Sequence, residues 1–173
     1  MSNSKLVAGW PGKVATAIAT LGPLGTRMSA PGTWGSAAGM LLYSLVFRWF
    51  NHTPWVNYLL IALALSAVAI VLCAVAELHM NRKDPGCVIL DEFVAMPLVY
   101  VGMEGTMATA HYPFVWFFAG FALFRFFDII KPLGIKKLQK LPGGLGVVAD
   151  DLAAAVASCG VLHVIAWLVT LLK

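Results

Sequence analysis

The chain has 173 residues, of which 60% are hydrophobic and only 12% charged, with a mean hydropathy of +0.84. A soluble globular domain is about half apolar and about one quarter charged, so an ordinary soluble fold is excluded. The composition points to an integral membrane protein, and the length suits one domain over residues 1–173. The net charge of +4 comes without any nucleic-acid-binding motif, so it is read as membrane orientation and contact with anionic head groups.

The N-terminal stretch "MSNSKLVAGWPGKVATAIAT" has no clean apolar run after its basic residues, and Pro11 and Gly12 interrupt it; no cleaved signal peptide is expected. Residues 36–47 are apolar and follow "APGTWG"; the run is short for a span, so a tilted helix, or one led in from a buried loop, is predicted. "WVNYLLIALALSAVAIVLCAVA" (55–76) is the clearest span. Residues 93–103 are apolar but broken by Pro97, and 112–124 are aromatic and apolar. Residues 152–172 run 21 positions without a formal charge, long enough to cross a bilayer. The resulting expectation is an all-α, polytopic membrane bundle of about four to five helices, with the functional loops on the cytoplasmic face.

The loops support that orientation. With the N-terminus inside and five crossings, Lys5, Lys13, Arg27, Arg82, Lys83, Arg125, Lys131, Lys136, Lys137 and Lys140 lie inside, and only Arg48 and Lys173 lie outside. This obeys the positive-inside rule. Glu77, Asp84, Asp91, Glu92, Asp128, Asp150 and Asp151 fall on the same side, and Glu104 alone does not. Acids gathered at one face exceed what solvation needs.

Four stretches carry candidate chemistry. In "APGTWGSAAG" (30–39), Gly32 and Gly35 suit a turn opening a helix that Thr33 or Ser36 caps; an anion site is one reading, an ordinary turn the more economical one. In "KDPGCVILDEF" (83–93), Asp84, Asp91 and Glu92 frame a short apolar piece squeezed between two apolar runs, a poor place for idle carboxylates. Oxygen ligands of this kind suit a hard cation such as magnesium. In "LFRFFDIIKPLGIKK" (123–137), Arg125, Asp128 and Lys131 share a helix face that Pro132 ends; metal and phosphate binding, or an ion-pair ladder, both fit. In "LPGGLGVVADDL" (141–152), Asp150 and Asp151 start the last helix. One Asp suffices for a cap; two at a membrane boundary call for a compensating cation, and a metal is the expected one. The three cysteines, Cys73, Cys87 and Cys159, form neither a disulfide framework nor a zinc spacing. No cysteine-phosphatase loop, Asp-x-Asp-x-Thr nucleophile or Ser-His-Asp arrangement is present.

In this order, "APGTWGS", "KDPGCVILDEF", "FRFFDIIKP" and "GGLGVVADDLAA" resemble the phosphatidylglycerophosphatase A family, bacterial inner-membrane enzymes that convert phosphatidylglycerophosphate to phosphatidylglycerol. The likeness covers about residues 20–165. It implies a magnesium-dependent active site holding Asp84, Asp91, Glu92, Asp128, Asp150 and Asp151, with Arg125 and Lys131 beside them. The chain departs from the family in having Arg27 within "LGPLGTRMS", Ala95 where Gly is usual, and Gln139 where an acid often precedes the glycine pair.

The expected function is hydrolysis of a lipid phosphomonoester at the cytoplasmic face. Asp91, Asp128, Asp151, Arg125 and Lys131 would act on the phosphate, and Gly32, Thr33, Ser36 and Lys131 would help hold it. Any of Asp91, Asp128 or Asp151 could serve as base, and a covalent aspartyl-phosphate route is open. Alternatives are a phosphatase for another lipid phosphate, such as a polyprenyl phosphate, a divalent-cation transporter, and a structural subunit. A transporter wants acids at mid-span, whereas these lie at one face.

Overall fold

The computed structural model describes the backbone of residues 9–50, 54–132 and 134–172, and their side chains apart from residues 47–50. Lys5, His52 and Lys173, and the side chain of Arg48, lie outside the described residues. The described chain holds helices and no strand: α1 (Trp10–Ala19), α2 (Pro23–Arg27), α3 (Pro31–Phe50), α4 (Trp55–Met80), α5 (Leu90–Val99), α6 (Glu104–Thr109), α7 (Pro113–Ile130), a 3-10 helix (Ile135–Lys140) and α8 (Gly144–Leu171).

Three of these, α4, α7 and α8, are long and apolar enough to cross a membrane. Their outer faces are apolar, with Leu60, Ile61, Val68 and Val71 exposed on α4, Phe114, Val115 and Phe118 on α7, and Val164, Trp167 and Leu168 on α8. The inner face of α4 carries Ala62, Ser66, Ala69, Cys73 and Ala76, all buried. Small residues at spacings of four and three let neighbouring backbones approach closely, which is how helices associate in lipid.

The central element is α5, and it differs from the expected span over 93–103. It has ten residues, a rise of about 15 Å, too short to cross alone, and almost all of it is buried. It is ringed by α3, α7, α8 and α4, with α1 packed on α4 and α2 on α3. The chain continues into α6 after a turn at Gly102, whose φ of +80° favours glycine. Pro97 stays inside α5. A proline has no N–H, so the Phe93 carbonyl loses its intrahelical donor. Gly39 of α3 lies against that carbonyl; a Cβ there would sit 2.4 Å from the oxygen.

Two helix starts differ from those the sequence predicts, both for packing reasons. α3 begins at Pro31, so "PGTWG" is helix, and the turn falls at Ala30 (φ +53°). Gly32 and Gly35 therefore serve close helix contact. Ser36 is no cap: its hydroxyl donates to the Gly32 carbonyl at 2.8 Å. α8 begins at Gly144, two turns before Asp150, because Gly144 seats against α4; a Cβ there would come 2.0 Å from the Ile70 carbonyl oxygen.

Candidate active site

Five elements deliver side chains to one end of the bundle. The first turn of α5 supplies Asp91 and Glu92, and α8 supplies Asp150 and Asp151. The end of α7 supplies Arg125 and Asp128, with Lys131 as its C-cap in the left-handed region, φ +47°. Ser36 comes from α3, and Glu77 from the end of α4.

Asp91, Glu92 and Asp151 form the innermost group. Each offers an oxygen, and these atoms lie within 4.8 Å of one another. Asp150 and Asp151 are 2% and 3% exposed, so they are buried helix-interior residues and cap nothing. In this cluster four buried carboxylate oxygens have no hydrogen-bond partner among the described residues: Asp91 Oδ1, Glu92 Oε2, Asp150 Oδ1 and Asp151 Oδ2. Buried polar atoms are normally satisfied, so four such oxygens in one place suit a positively charged partner.

The cations are already engaged. Arg125 Nη1 donates to Asp128 Oδ2 at 2.7 Å and to Ser36 Oγ at 3.2 Å, and stands 4.0 Å from Glu92 Oε1. Lys131 Nζ pairs with Asp150 Oδ2, lies 3.5 Å from Asp128 Oδ1, and is 4.0 Å from Asp151 Oδ1. Five carboxylates thus face two cations. Burial pushes the Asp91 carboxyl well above the ordinary carboxylate range, and the Glu92 and Asp151 charges add to this. Burial also raises Glu92. At Lys131 burial works against the ammonium, but Asp150, Asp151 and Asp128 outweigh it and hold the group above the ordinary lysine range.

A glycine shapes the wall of the site. A Cβ on Gly32 would come 2.2 Å from Glu92 Oε1 and 3.3 Å from Arg125 Nη1, so only glycine leaves room for this carboxylate.

The sequence candidates therefore separate. Asp91, Glu92 and Asp151 gather; Asp128 and Asp150 hold Arg125 and Lys131; Ser36 and Gly32 border them. Thr33 is exposed. Asp84 is also exposed and outside the inner group. Its φ is +45°, and its N–H donates to Glu77 Oε1 at 2.7 Å. Glu77 is a positioning residue that the sequence reading counted only among the acids of that face. The signal for it was an acid closing a long apolar run seven residues before Asp84. His163 lies on α8 away from this cluster, with Nδ1 2.9 Å from the Cys159 carbonyl oxygen.

All the donors in the inner group are carboxylate oxygens, the ligand class of a hard divalent cation, and their orphaned oxygens fit such a group. Beside them stand a guanidinium and an ammonium, the usual partners of phosphate oxygens.

Comparison with known proteins identifies the family. The profile of the family described as Phosphatidylglycerophosphatase A matches residues 17–166. The Phosphatidylglycerophosphatase A of Haemophilus influenzae is 36% identical over 128 residues, 73% of each chain. That of Escherichia coli is 32% identical over 136 residues, 78% of this chain and 73% of its own. A Bacteroides thetaiotaomicron protein, provisionally named as a phosphatidylinositol-3-phosphatase, is 35% identical over 150 residues, 81% of this chain and 86% of its own. No solved structure matches the chain. A bundle with membrane-length helices and a carboxylate centre flanked by a guanidinium and an ammonium, carried on a sequence matched over residues 17–166, belongs to the phosphatidylglycerophosphatase A family of phosphatases.

Proposed function

We propose that this chain hydrolyses the terminal phosphomonoester of phosphatidylglycerophosphate, giving phosphatidylglycerol and phosphate, with magnesium as its cofactor, at the cytoplasmic face of a bacterial inner membrane. The observation that carries the reading is the group Asp91, Glu92 and Asp151, whose oxygens lie within 4.8 Å, set beside Arg125 and Lys131. Those three residues would hold the cation, with Asp150 adjacent. Bound magnesium would supply Lewis-acid polarisation of the phosphoryl oxygen.

The chain's own residues do the rest. Arg125, fixed by Asp128 and Ser36, and Lys131, fixed by Asp150 and Asp128, bind the phosphate oxygens and offset charge redistributed as the ester bond breaks. Water adds to phosphorus, the glycerol oxygen leaves and takes a proton, and a carboxylate accepts the proton from the water. Asp128 clamps both cations, which is a positioning task, so Asp91 and Asp151 are the better bases. The cytoplasmic orientation is supported by Arg82, Lys83, Lys136, Lys137 and Lys140, which cluster in the segments flanking the site.

The test is phosphate release from phosphatidylglycerophosphate in detergent micelles, with magnesium or with chelator, for wild type and Asp151→Asn. Release that requires magnesium and is lost in Asp151→Asn is expected. Release indifferent to magnesium removes the cofactor assignment. The name of the Bacteroides relative favours a phosphoinositide as the competing substrate class, and direct substrate competition separates the two.

A further inference from the structure

Next to the carboxylate centre lies a second, polar cleft of about 330 Å³, lined by Lys83, Asp84, Gln139, Gly146 and Val147. Gly146 and Val147 precede Asp150 and Asp151 by four residues each, one turn and about 6 Å along α8. The cleft therefore adjoins the phosphate site without being part of it.

Both walls are held in place. On one side, the Asp84 N–H bonds to the Glu77 carboxylate at 2.7 Å and fixes the loop that carries Lys83. On the other, α8 starts tightly against the 3-10 helix; a Cβ on Gly146 would meet the Leu141 carbonyl oxygen at 2.4 Å and that of Gln139 at 3.0 Å. A preorganised cleft loses little freedom when it binds. Its polar groups are uncommitted: among the described residues Lys83 makes no ion pair and the Gln139 side chain no hydrogen bond, unlike Arg125 and Lys131.

An ammonium, an amide and a carboxylate together recognise an anion that carries hydroxyl groups. We propose that this cleft is a head-group subsite: Lys83 pairs with the phosphodiester anion of the lipid, while Asp84 and Gln139 hydrogen-bond to the polyol between its two phosphates. The proposal rests on the substrate reading above, since only a lipid with both a terminal monoester and an internal diester fills both places.

The experiment follows release of labelled phosphate from phosphatidylglycerophosphate by wild type, Lys83→Ala, Gln139→Ala and Lys83→Arg. Two soluble inhibitors are compared: glycerophosphoglycerol, which has the diester and polyol but no monoester, and inorganic phosphate. Lys83→Ala is expected to raise KM and weaken inhibition by glycerophosphoglycerol by about tenfold each, the scale of one charge-assisted hydrogen bond. Inhibition by phosphate stays unchanged, and Lys83→Arg restores the diester effect. Gln139→Ala shifts the same two quantities by a smaller factor. Glycerophosphoglycerol that fails to inhibit wild type, or variants that weaken both inhibitors equally, overturn the subsite. Wild type that binds glycerophosphoglycerol by calorimetry but releases no phosphate from the lipid overturns the substrate reading and leaves the subsite standing. A wild type that does neither overturns both.

Discussion

At the scale of single residues, the site depends on atoms that are missing as much as on those present. Gly32 has no side chain where the Glu92 carboxylate lies, 2.2 Å from where a Cβ would be. Gly32→Ala must therefore displace Glu92. Misplacement on the ångström scale can lower turnover by about 10²-fold, and phosphate release at saturating lipid, with a thermal melt as the folding control, checks this. Lys131 makes the complementary case. Its ammonium is the partner of Asp150, which is 2% exposed, so Lys131→Gln leaves a buried carboxylate without compensation. That costs about 3 kcal/mol. The double variant Lys131→Gln with Asp150→Asn regains the stability, because both charges are gone, but not the activity, because the phosphate has lost a cation. Melting temperature and turnover measured on the same preparations separate the two effects.

At the scale of elements, glycine contacts decide how helices meet. Gly144→Ala would drive a methyl group into the Ile70 carbonyl of α4 and destabilise the protein by about 1–3 kcal/mol. Gly160 lies in the same helix with open space around it, and Gly160→Ala should stabilise by about 0.5–1 kcal/mol. Opposite shifts in the melting temperature of the two variants test whether α8 docks as described. Such contacts also explain what could and could not be read from the sequence. The long apolar runs of α4, α7 and α8 were legible because each is uninterrupted. So was the placing of Asp91, Glu92 and Asp151 on one side, since the order of apolar runs and charged loops puts all three there. The early starts of α3 and α8 were not legible, because Gly-rich stretches read as turns until a neighbouring helix is seen to need the close approach. The shortness of α5 was hidden too. Its apolar character reflects burial by protein on all sides, which hydropathy does not distinguish from burial by lipid. The motif and the family resemblance place Asp84 with the inner acids, and only the fold shows it exposed and lining the neighbouring cleft.

At the scale of the whole molecule, the bundle stores an electrostatic excess. Five carboxylates share two cations, and the Asp91 carboxyl stands well above the ordinary range because of burial and then of Glu92 and Asp151. A raised carboxyl means that ionisation opposes folding. Stability present while the group is protonated, below its unfolded value, is lost as pH rises through its folded value. Protein treated with chelator should therefore melt at a lower temperature at about pH 8 than at about pH 5. Magnesium should remove that difference by replacing the protons, and its binding should release them. A metal-free melt that rises with pH over this window would contradict the arrangement.

The shortness of α5 also bears on biogenesis. Helices α4, α7 and α8 are each apolar and long enough to enter a bilayer on their own, and helices that insert singly can assemble afterwards. A ten-residue helix that starts with two carboxylates has no such independence. It must be drawn in by neighbours, and one of those neighbours, α8, leaves the ribosome after it. Asp91 and Glu92 thus wait for Asp151. The carboxylate cluster forms only once α8 has been made, and a nascent chain stalled before α8 lacks it.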